Sequence, residues 1–262
     1  MDGLGVFVLG WLGGGVVNWL ADALPIYRRP VRPRCPHCGG PRRVAAWLGL
    51  IEAASGSPCR YCDARRGPRP WIVELACAAF AVWLYGRDPG LAVFLPGLIV
   101  GLVFLLIAVI DIEHRLILRI VAVPAAVLLG VIGALQPTRG SVKVLLGGAA
   151  GFLILWVMYL LGLAFSRWIA RRRGAPLEEI AFGFGDVMLG GLIGLVVGWP
   201  GVIIAVMTGV LLAGVFSLGY IAFMVLRRKY SSFTPIPYGP FLLAGACLVY
   251  YGGRTALETL IG

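Results

Sequence analysis

Eight runs of apolar residues recur along the chain, and they limit its fold more than any other feature. Inside a bilayer every backbone polar group needs an internal partner, so runs of this length form helices there. With 60% hydrophobic and 13% charged residues, the chain has more apolar surface than one water-soluble core can bury. The sequence therefore predicts an all-α integral membrane protein with about eight transmembrane helices, near residues 4–24, 71–86, 91–110, 120–136, 144–166, 184–199, 201–226 and 239–251.

The basic residues are distributed unevenly over the connections between these runs. If the N-terminus is outside, 19 of the 23 Lys and Arg residues fall in connections on the cytoplasmic side. Such an excess is typical of cytoplasmic loops, so we expect eight spans with both termini outside. The net charge of +11 then reflects membrane topology rather than nucleic acid binding. The expected partner of this surface is the lipid bilayer.

Residues 25–70 form a polar, basic connection that separates a first helix (1–24) from a membrane domain with seven further spans (71–262). This loop carries the motifs CPHC and CRYC. Two such turns can aim four thiolates at one tetrahedral zinc ion, and a short segment needs a staple of this kind. Paired disulfides stay open as an alternative, although they are rare in the cytoplasm. The predicted ligands are Cys35, Cys38, Cys59 and Cys62, with His37 outside the ligand set.

Three acidic residues remain beside the apolar runs once loop and terminal acids are set aside: Asp111, Glu113 and Asp186. In the predicted topology Asp111 ends the third span and Asp186 begins the sixth, so both lie at the same depth. Polar groups at such depth usually face a protein interior and mark function. Two close carboxylates can share a proton, one acting as a base on water and the other as an acid, which is the chemistry of an aspartyl protease. Glycines 183 and 185 would let backbone or substrate approach Asp186 closely.

Each of these acids also has a purely structural interpretation. Asp186 could be the N-cap of its helix, and Asp111 could pair with Arg115 four residues on. Glu113 points to a different helical face, so we interpret it as an interfacial residue that pairs with Arg115 or His114. The remaining acids at helix ends beside the loop, Asp22 and Glu74, could pair with the arginines of the loop.

Six motifs follow one another in a characteristic order: GGGVVNWLADALP (13–25), the two cysteine pairs, WIVE (71–74), DIEHRLIL (111–118), GFGD (183–186) and PIPYGPFL (235–242). In this order they resemble the bacterial type IV prepilin peptidases, which are GxGD membrane aspartyl proteases. The resemblance implies that Asp111 and Asp186 are the catalytic aspartates. It also implies active-site support from Gly183, Gly185, Pro237 and Gly239, and a role in methylation or structure for Asn18 and Glu74.

The resemblance implies an enzyme that removes the basic leader of type IV prepilins or pseudopilins. That family acts at the cytoplasmic face of the bacterial inner membrane, and its cytoplasmic loop binds structural zinc. Many of its members also methylate the new N-terminus with S-adenosylmethionine. This chain departs from the family pattern at Met188, which stands where Lys is usual, at Leu118 and Arg119, which stand where Pro and Asp are usual, and between the cysteine pairs. The departures leave both catalytic aspartates in place and leave methylation open.

Two other classes of protein stay open from the residues alone. The first is a non-catalytic membrane scaffold with a zinc loop, and the second is a transporter coupled to protons or cations. A transporter predicts acids spread through the depth of the bilayer, whereas here they cluster at one face. The sequence does not name the prepilin substrate or the oligomeric state. It also does not say whether Asp111 and Asp186 are close without substrate.

Overall fold

The chain folds into a succession of α-helices, as its apolar runs predict. A computed structural model describes residues 2–35, 37–42, 47–56, 58–136, 140–173, 183–227 and 237–252. Within these ranges the β-type pairing is a single bridge between Arg34 and Pro41. The helices are α1 (Gly3–Tyr27), α2 (Gly49–Ser55), α3 (Arg69–Arg87), α4 (Leu91–His114), α5 (Arg119–Leu135), α6 (Ser141–Arg173), α7 (Phe184–Val197), α8 (Gly201–Leu226) and α9 (Gly239–Gly252).

Four of these helices are long and apolar enough to cross a membrane: α1, α4, the Ser141–Trp168 part of α6, and α8. Three others, α5, α7 and α9, are apolar but shorter. At 1.5 Å per residue, the 14 residues of α7 or of α9 span about 21 Å, less than the roughly 30 Å thickness of the hydrocarbon core. The predicted class, an all-α membrane protein, is confirmed, whereas the number of complete spans stays a prediction.

The first of two compact units comprises Met1–Ile110, and in it α1 packs closely against α3. Two glycines of α1 make this approach possible. A Cβ atom added to Gly10 would lie 2.6 Å from the carbonyl oxygen of Cys77, and one added to Gly14 would lie 2.7 Å from Cα of Glu74. Small residues four positions apart let membrane helices come close in this way. The α1–α3 pair is the base on which the cysteine loop is built.

The second unit comprises Asp111–Gly262, and α7 occupies its centre, in contact with α5, α6, α8 and α9. Glycines on α6 and α7 face each other so closely that a side chain at either position would meet backbone. The two closest pairs are Gly147 with Gly194 and Gly151 with Gly190. This packing fixes the position of α7 against α6.

Candidate active site and metal centre

Asp111 lies in the last turn of α4 and is buried, with 6% of its surface exposed. The helix ends after His114 because Arg115 adopts a left-handed φ of 53° and donates its N–H to the carbonyl oxygen of Asp111 at 2.8 Å. The backbone N–H of Gly239, the first residue of α9, hydrogen-bonds to the Asp111 carboxylate. A helix N-terminus favours negative charge, so α9 begins where it stabilises this carboxylate.

Gly239 leaves no room for a side chain beside that carboxylate. A Cβ atom added there would lie 2.5 Å from Oδ2 of Asp111, far inside van der Waals contact. Gly239, which is expected to support the active site, is therefore in direct contact with the candidate catalytic residue Asp111. Pro237 is half-buried just before α9, whereas Pro235, which opens the predicted proline-rich motif, lies outside the described residues.

Asp186 is the third residue of α7 and reaches back to the residue that precedes the helix. Its Oδ2 accepts the N–H of Gly183 at 3.1 Å, as the acid at the third position does in a capping box. The alternative interpretation of Asp186 as the N-cap itself is wrong, because Gly183 occupies the N-cap. The capping bond engages one oxygen of the carboxylate, so a capping role and a chemical role are compatible.

The two carboxylates lie close enough for their charges to interact. From the sequence, matched depth made such a meeting physically possible and left open whether the two aspartates are close without substrate. Among the described residues, Asp111 forms no ion pair with its alternative partner, Arg115. A carboxylate pair that shares one proton can serve as acid and base in turn.

Tyr238 is a residue of this site that sequence reasoning missed. It lies just before α9, within electrostatic range of Asp186. Burial, and then the charge of Asp186, raise the pKa of Tyr238 to about 12, so its phenol stays protonated and can donate a hydrogen bond at neutral pH. Tyr238 could have been found from the sequence, because it lies between Pro237 and Gly239, which were both expected to support the active site.

The two glycines of GFGD have different surroundings. A Cβ atom on Gly185 would lie 2.8 Å from Cβ of Ile117, so this glycine lets the connection between α4 and α5 pack against the first turn of α7. A Cβ atom on Gly183 would meet nothing closer than Oδ2 of Asp186 at 3.7 Å. The close backbone approach expected of both glycines is therefore present at Gly185, while Gly183 has space for a methyl group.

The two cysteine pairs form matching turns. The N–H of Gly39 donates to the carbonyl oxygen of Cys35 at 2.8 Å, and the N–H of Asp63 donates to that of Cys59 at 3.0 Å. Gly39 and Asp63 both have a positive φ, of 70° and 53°, which closes each turn tightly. The first and fourth residues of each turn thus present their sulfurs to the same point.

All four sulfurs lie within 4.8 Å of one another. The sulfurs of Cys35 and Cys62 are 3.7 Å apart, as are those of Cys38 and Cys59. Four sulfurs held about 2.3 Å from a tetrahedral zinc ion would be about 3.8 Å apart, whereas a disulfide needs about 2.05 Å. The donor set and its spacing therefore fit a metal ion such as zinc.

Groups around Cys35 favour its thiolate. Burial alone would raise the pKa of Cys35, but hydrogen bonds from the backbone of Cys38 and His37, and from the side chains of Arg42 and Cys59, outweigh it and lower the pKa to about 6. Metal ions bind the thiolate form of cysteine. His37 contributes here through its backbone.

Glu74 is completely buried, yet its partners are not arginines as the sequence suggested. Its carboxylate accepts the indole N–H of Trp11 at 2.9 Å and the backbone N–H groups of Gly49 and Leu50, the latter at 3.0 Å. These two N–H groups begin α2, and a carboxylate there satisfies donors that a helix leaves unpaired. Glu74 therefore fastens the loop helix α2 to α1 and α3.

Asn18 lies nearby and is also buried, with 1% of its surface exposed. Its Nδ2 donates to the carbonyl oxygen of Pro70 at 2.8 Å, while its Oδ1 has no hydrogen-bond partner within the described chain. The contact joins α1 to the start of α3. Asp22, in contrast, pairs with Arg66 and Arg69 of the loop, as predicted.

The fold and these two sites define a multi-pass helical membrane protein with a pair of carboxylates, one of them buried, and a four-cysteine loop. The profile of the Type IV leader peptidase family matches residues 98–218, a range that includes both aspartates. A "Prepilin leader peptidase/N-methyltransferase" of Burkholderia pseudomallei (strain 1026b) is 31% identical over 257 residues, which cover 92% of this chain and 74% of that protein. The chain belongs to the prepilin leader peptidase family.

Relatives with the same name occur in other bacteria. That of Stutzerimonas stutzeri is 27% identical over 97% of this chain and 92% of its own length. That of Bacillus subtilis (strain 168) is 25% identical over 98% of this chain and 96% of its own length. No solved structure matches the chain. The matches extend over both units, so they include the cysteine loop as well as the aspartates.

Proposed function

We propose that this protein is an aspartic-type endopeptidase that removes the basic leader peptide from type IV prepilins or pseudopilins, with Asp111 and Asp186 as its catalytic pair. The observation that carries the assignment is the interacting pair of carboxylates: Asp186 in the first turn of α7, and the buried Asp111 in the last turn of α4, beside the start of α9. The family of the chain supplies the class of substrate. Neither a zinc-loop scaffold nor a transporter is favoured by these relatives.

The pair supports a single-displacement hydrolysis. With one proton shared between the carboxylates, the ionised member takes a proton from a water molecule as that water attacks the scissile carbonyl carbon. The protonated member gives its proton to the carbonyl oxygen. Collapse of the tetrahedral intermediate then breaks the C–N bond: the carboxyl that took a proton from the water gives it to the leaving nitrogen, and a hydroxyl of the intermediate returns its proton to the other carboxylate. The pair has regained its single shared proton at the end of this cycle, and no covalent enzyme intermediate forms.

The neighbouring residues hold the pair in place. Gly239 and the start of α9 position the carboxylate of Asp111, and Gly183 positions that of Asp186. Gly185 lets the connection after α4 reach the first turn of α7. Tyr238 can donate a hydrogen bond toward Asp186 or toward the substrate.

The cysteine loop has a separate, structural task in this proposal. Cys35, Cys38, Cys59 and Cys62 would hold a zinc ion, which would supply cross-linking of a segment too short to fold on its own core. Residues 25–70 would be this cytoplasmic loop, after a first helix in 1–24 and before a membrane peptidase domain in 71–262. No step of peptide hydrolysis passes through the metal.

Methylation of the new N-terminus is a further proposal that rests on the names of the relatives. The donor would be S-adenosylmethionine. The cleft between α2 and residues 65–71 has a volume of about 240 Å³, smaller than the roughly 300–1,000 Å³ of pockets that enclose drug-sized ligands. The described residues that line this cleft therefore do not enclose the whole donor.

The proposed location is the bacterial inner membrane, with the aspartates facing the cytoplasm. The excess of Lys and Arg in alternate connections supports this orientation. The anionic surface of that leaflet would attract both the basic loops of the enzyme and the basic leaders of its substrates. Lipid can thus bring together two partners that carry the same charge.

The test is co-expression of a prepilin with the wild-type protein and with the variants Asp111→Asn and Asp186→Asn, followed by mass spectrometry of the pilin N-terminus. Each substitution keeps the shape of the side chain and removes its acid–base function, so we expect the leader to remain in both. Glu113→Gln is the matched control, since it makes the same chemical change two residues from Asp111, and it should cleave normally. Wild-type cleavage by either aspartate variant would refute the catalytic assignment.

A further inference from the structure

Arg42 connects the four-cysteine site to the loop helix α2. Its Nη2 lies 3.9 Å from the sulfur of Cys35, and its Nη1 donates to the carboxylate of Glu52 on α2. Only 5% of the Arg42 side chain is exposed. A buried guanidinium needs nearby negative charge, and here that charge comes from Glu52 on one side and from the Cys35 sulfur on the other.

The contacts continue from α2 to the end of α1. The second oxygen of Glu52 accepts a hydrogen bond from Arg66 at 3.2 Å, and Arg66 also donates to Asp22 on α1. Asp22 accepts a further bond from Arg69 at the start of α3. The two donors of Arg66 thus join a carboxylate of the loop to a carboxylate of a membrane helix.

The inner part of this network is shielded from water. The side chains of Glu52 and Arg66 are each 15% exposed, so their contact differs from the exposed ion pairs that contribute little to stability. Removing one partner of a buried ion pair leaves the other charge uncompensated, which is strongly destabilising. The loss of Arg66 or Glu52 should therefore disturb the contacts of the whole network.

The position of α2 is fixed from a second direction by Glu74. Because that carboxylate on α3 holds the N–H groups of Gly49 and Leu50, Glu52 one turn later has a defined place relative to α1 and α3. A displacement of the cysteine turns would move Arg42 against this fixed carboxylate.

We propose that Arg42, Glu52, Arg66 and Asp22 form an outer sphere of the metal site that couples metal binding to the docking of the loop on α1. A metal-bound thiolate at Cys35 completes the environment of Arg42, and Arg42 in turn orders Glu52 and Arg66. Coupling of this kind is reciprocal, so firmer docking tightens metal binding and metal binding firms the docking. The inference rests on the proposed metal site and is independent of peptidase activity.

The decisive variant is Arg66→Gln, because Arg66 lies in the middle of the network, between Glu52 and Asp22. Its matched control is Arg65→Gln, which makes the same charge change at the neighbouring, exposed position, where no ion pair is formed within the described chain. Zinc content and zinc release to a chelator are measured on the purified full-length protein. Loss of outer-sphere partners lowers metal affinity by about 10–100-fold, so Arg66→Gln should release zinc at least about 10-fold faster than Arg65→Gln.

Cobalt substitution shows whether the variant still forms the site. The absorption bands of tetrahedral cobalt with thiolate ligands should persist in Arg66→Gln, with a higher cobalt concentration needed for half-saturation. If Arg66→Gln does not fold, Asp22→Asn replaces it, since Asp22 is 40% exposed at its side chain and its amide keeps the same shape. Hydrogen exchange of Gly49–Ser55 gives the reciprocal measurement: removal of zinc should speed it in the wild type.

The outcomes distinguish a failure of the proposed metal site from a failure of its coupling to the docking of the loop. A wild-type protein that binds no zinc or cobalt would overturn the metal site itself. A wild type that binds metal, with equal release from Arg66→Gln and Arg65→Gln and unchanged exchange of α2 on chelation, would overturn the coupling alone. Slower zinc release from Arg65→Gln than from Arg66→Gln, together with faster hydrogen exchange of α2 after zinc is removed from the wild type, would support the coupling.

Discussion

Gly239→Ala tests whether the carboxylate of Asp111 must occupy the position seen here. The added methyl group would lie 2.5 Å from Oδ2, whereas ordinary contact begins at 3.4 Å. The oxygen therefore has to move by about 0.9 Å. A misplacement of about 1 Å at a reacting group costs on the order of 100-fold in rate, which corresponds to about 2.7 kcal/mol of transition-state stabilisation.

The same geometry predicts a smaller effect on stability. The obstructing atom is the end of a side chain, so rotation of the Asp111 carboxylate relieves much of the overlap. We expect the free energy of unfolding to fall by about 1 kcal/mol, the low end of the range for an overpacked site. The substitution should thus reduce transition-state stabilisation by more than it reduces the free energy of unfolding.

The assay is steady-state cleavage of a purified prepilin by the full-length protein, with thermal unfolding measured on the same samples. Gly183→Ala is the control, because its added methyl group meets nothing closer than 3.7 Å, and it should stay within about three-fold of wild type in kcat/KM, a loss of about 0.7 kcal/mol. A folded Gly239→Ala protein with wild-type kcat/KM would refute the proposed positioning of Asp111. Equal losses in both variants would show that the site requires glycine for another reason.

Three further predictions follow from other contacts. Glu74→Ala leaves three N–H donors without their acceptor and should lower the free energy of unfolding by about 3 kcal/mol, with Glu74→Gln intermediate. Thermal unfolding in detergent measures this. Equal stability of the wild type and both variants would contradict the role of Glu74 in fastening α2 to α1 and α3. Gly194→Ala places a methyl group against the backbone of Gly147 and should destabilise the α6–α7 contact. Gly191→Ala on the same helix should be tolerated, because its methyl group meets Cβ of Phe152 at 3.4 Å. Similar unfolding temperatures for the two variants would argue against this packing. Tyr238→Phe removes a donor near Asp186 and should lower kcat by about 10-fold, the loss of roughly 1.4 kcal/mol from one hydrogen bond, with KM little changed; an unaltered kcat would exclude the phenol from the reaction.

The helical membrane class could be predicted because it depends on composition and run length alone. A run of apolar residues near twenty long leaves few alternatives in lipid, and each of the eight predicted runs overlaps a helix. The boundaries were less certain. The apolar run at 144–166 lies inside a helix that extends over Ser141–Arg173, because arginines that follow an apolar stretch can continue a helix as well as end it.

The four-cysteine site could be predicted for a similar reason. Its ligands come in two short turns whose geometry is local, so spacing along the chain already implies spacing in the structure. The residues around it could not be predicted in this way. Arg42, Glu52, Arg66 and Asp22 lie far apart in sequence, and only the folded loop places their charges in one network.

The sequence by itself indicated which residues are candidates for chemistry: two acids beside apolar runs, and four cysteines in paired turns. Both signals are properties of the chain alone, since a charge near lipid is costly wherever the helices lie and the spacing of the cysteines is local. The tertiary structure decided what each of them touches. It set Asp111 against the start of α9, gave Asp186 a capping bond in place of the N-cap, and turned Glu74 from a partner of arginines into an acceptor for the start of α2. These contacts depend on how glycines let helices approach one another, and that packing is not a property of any one segment.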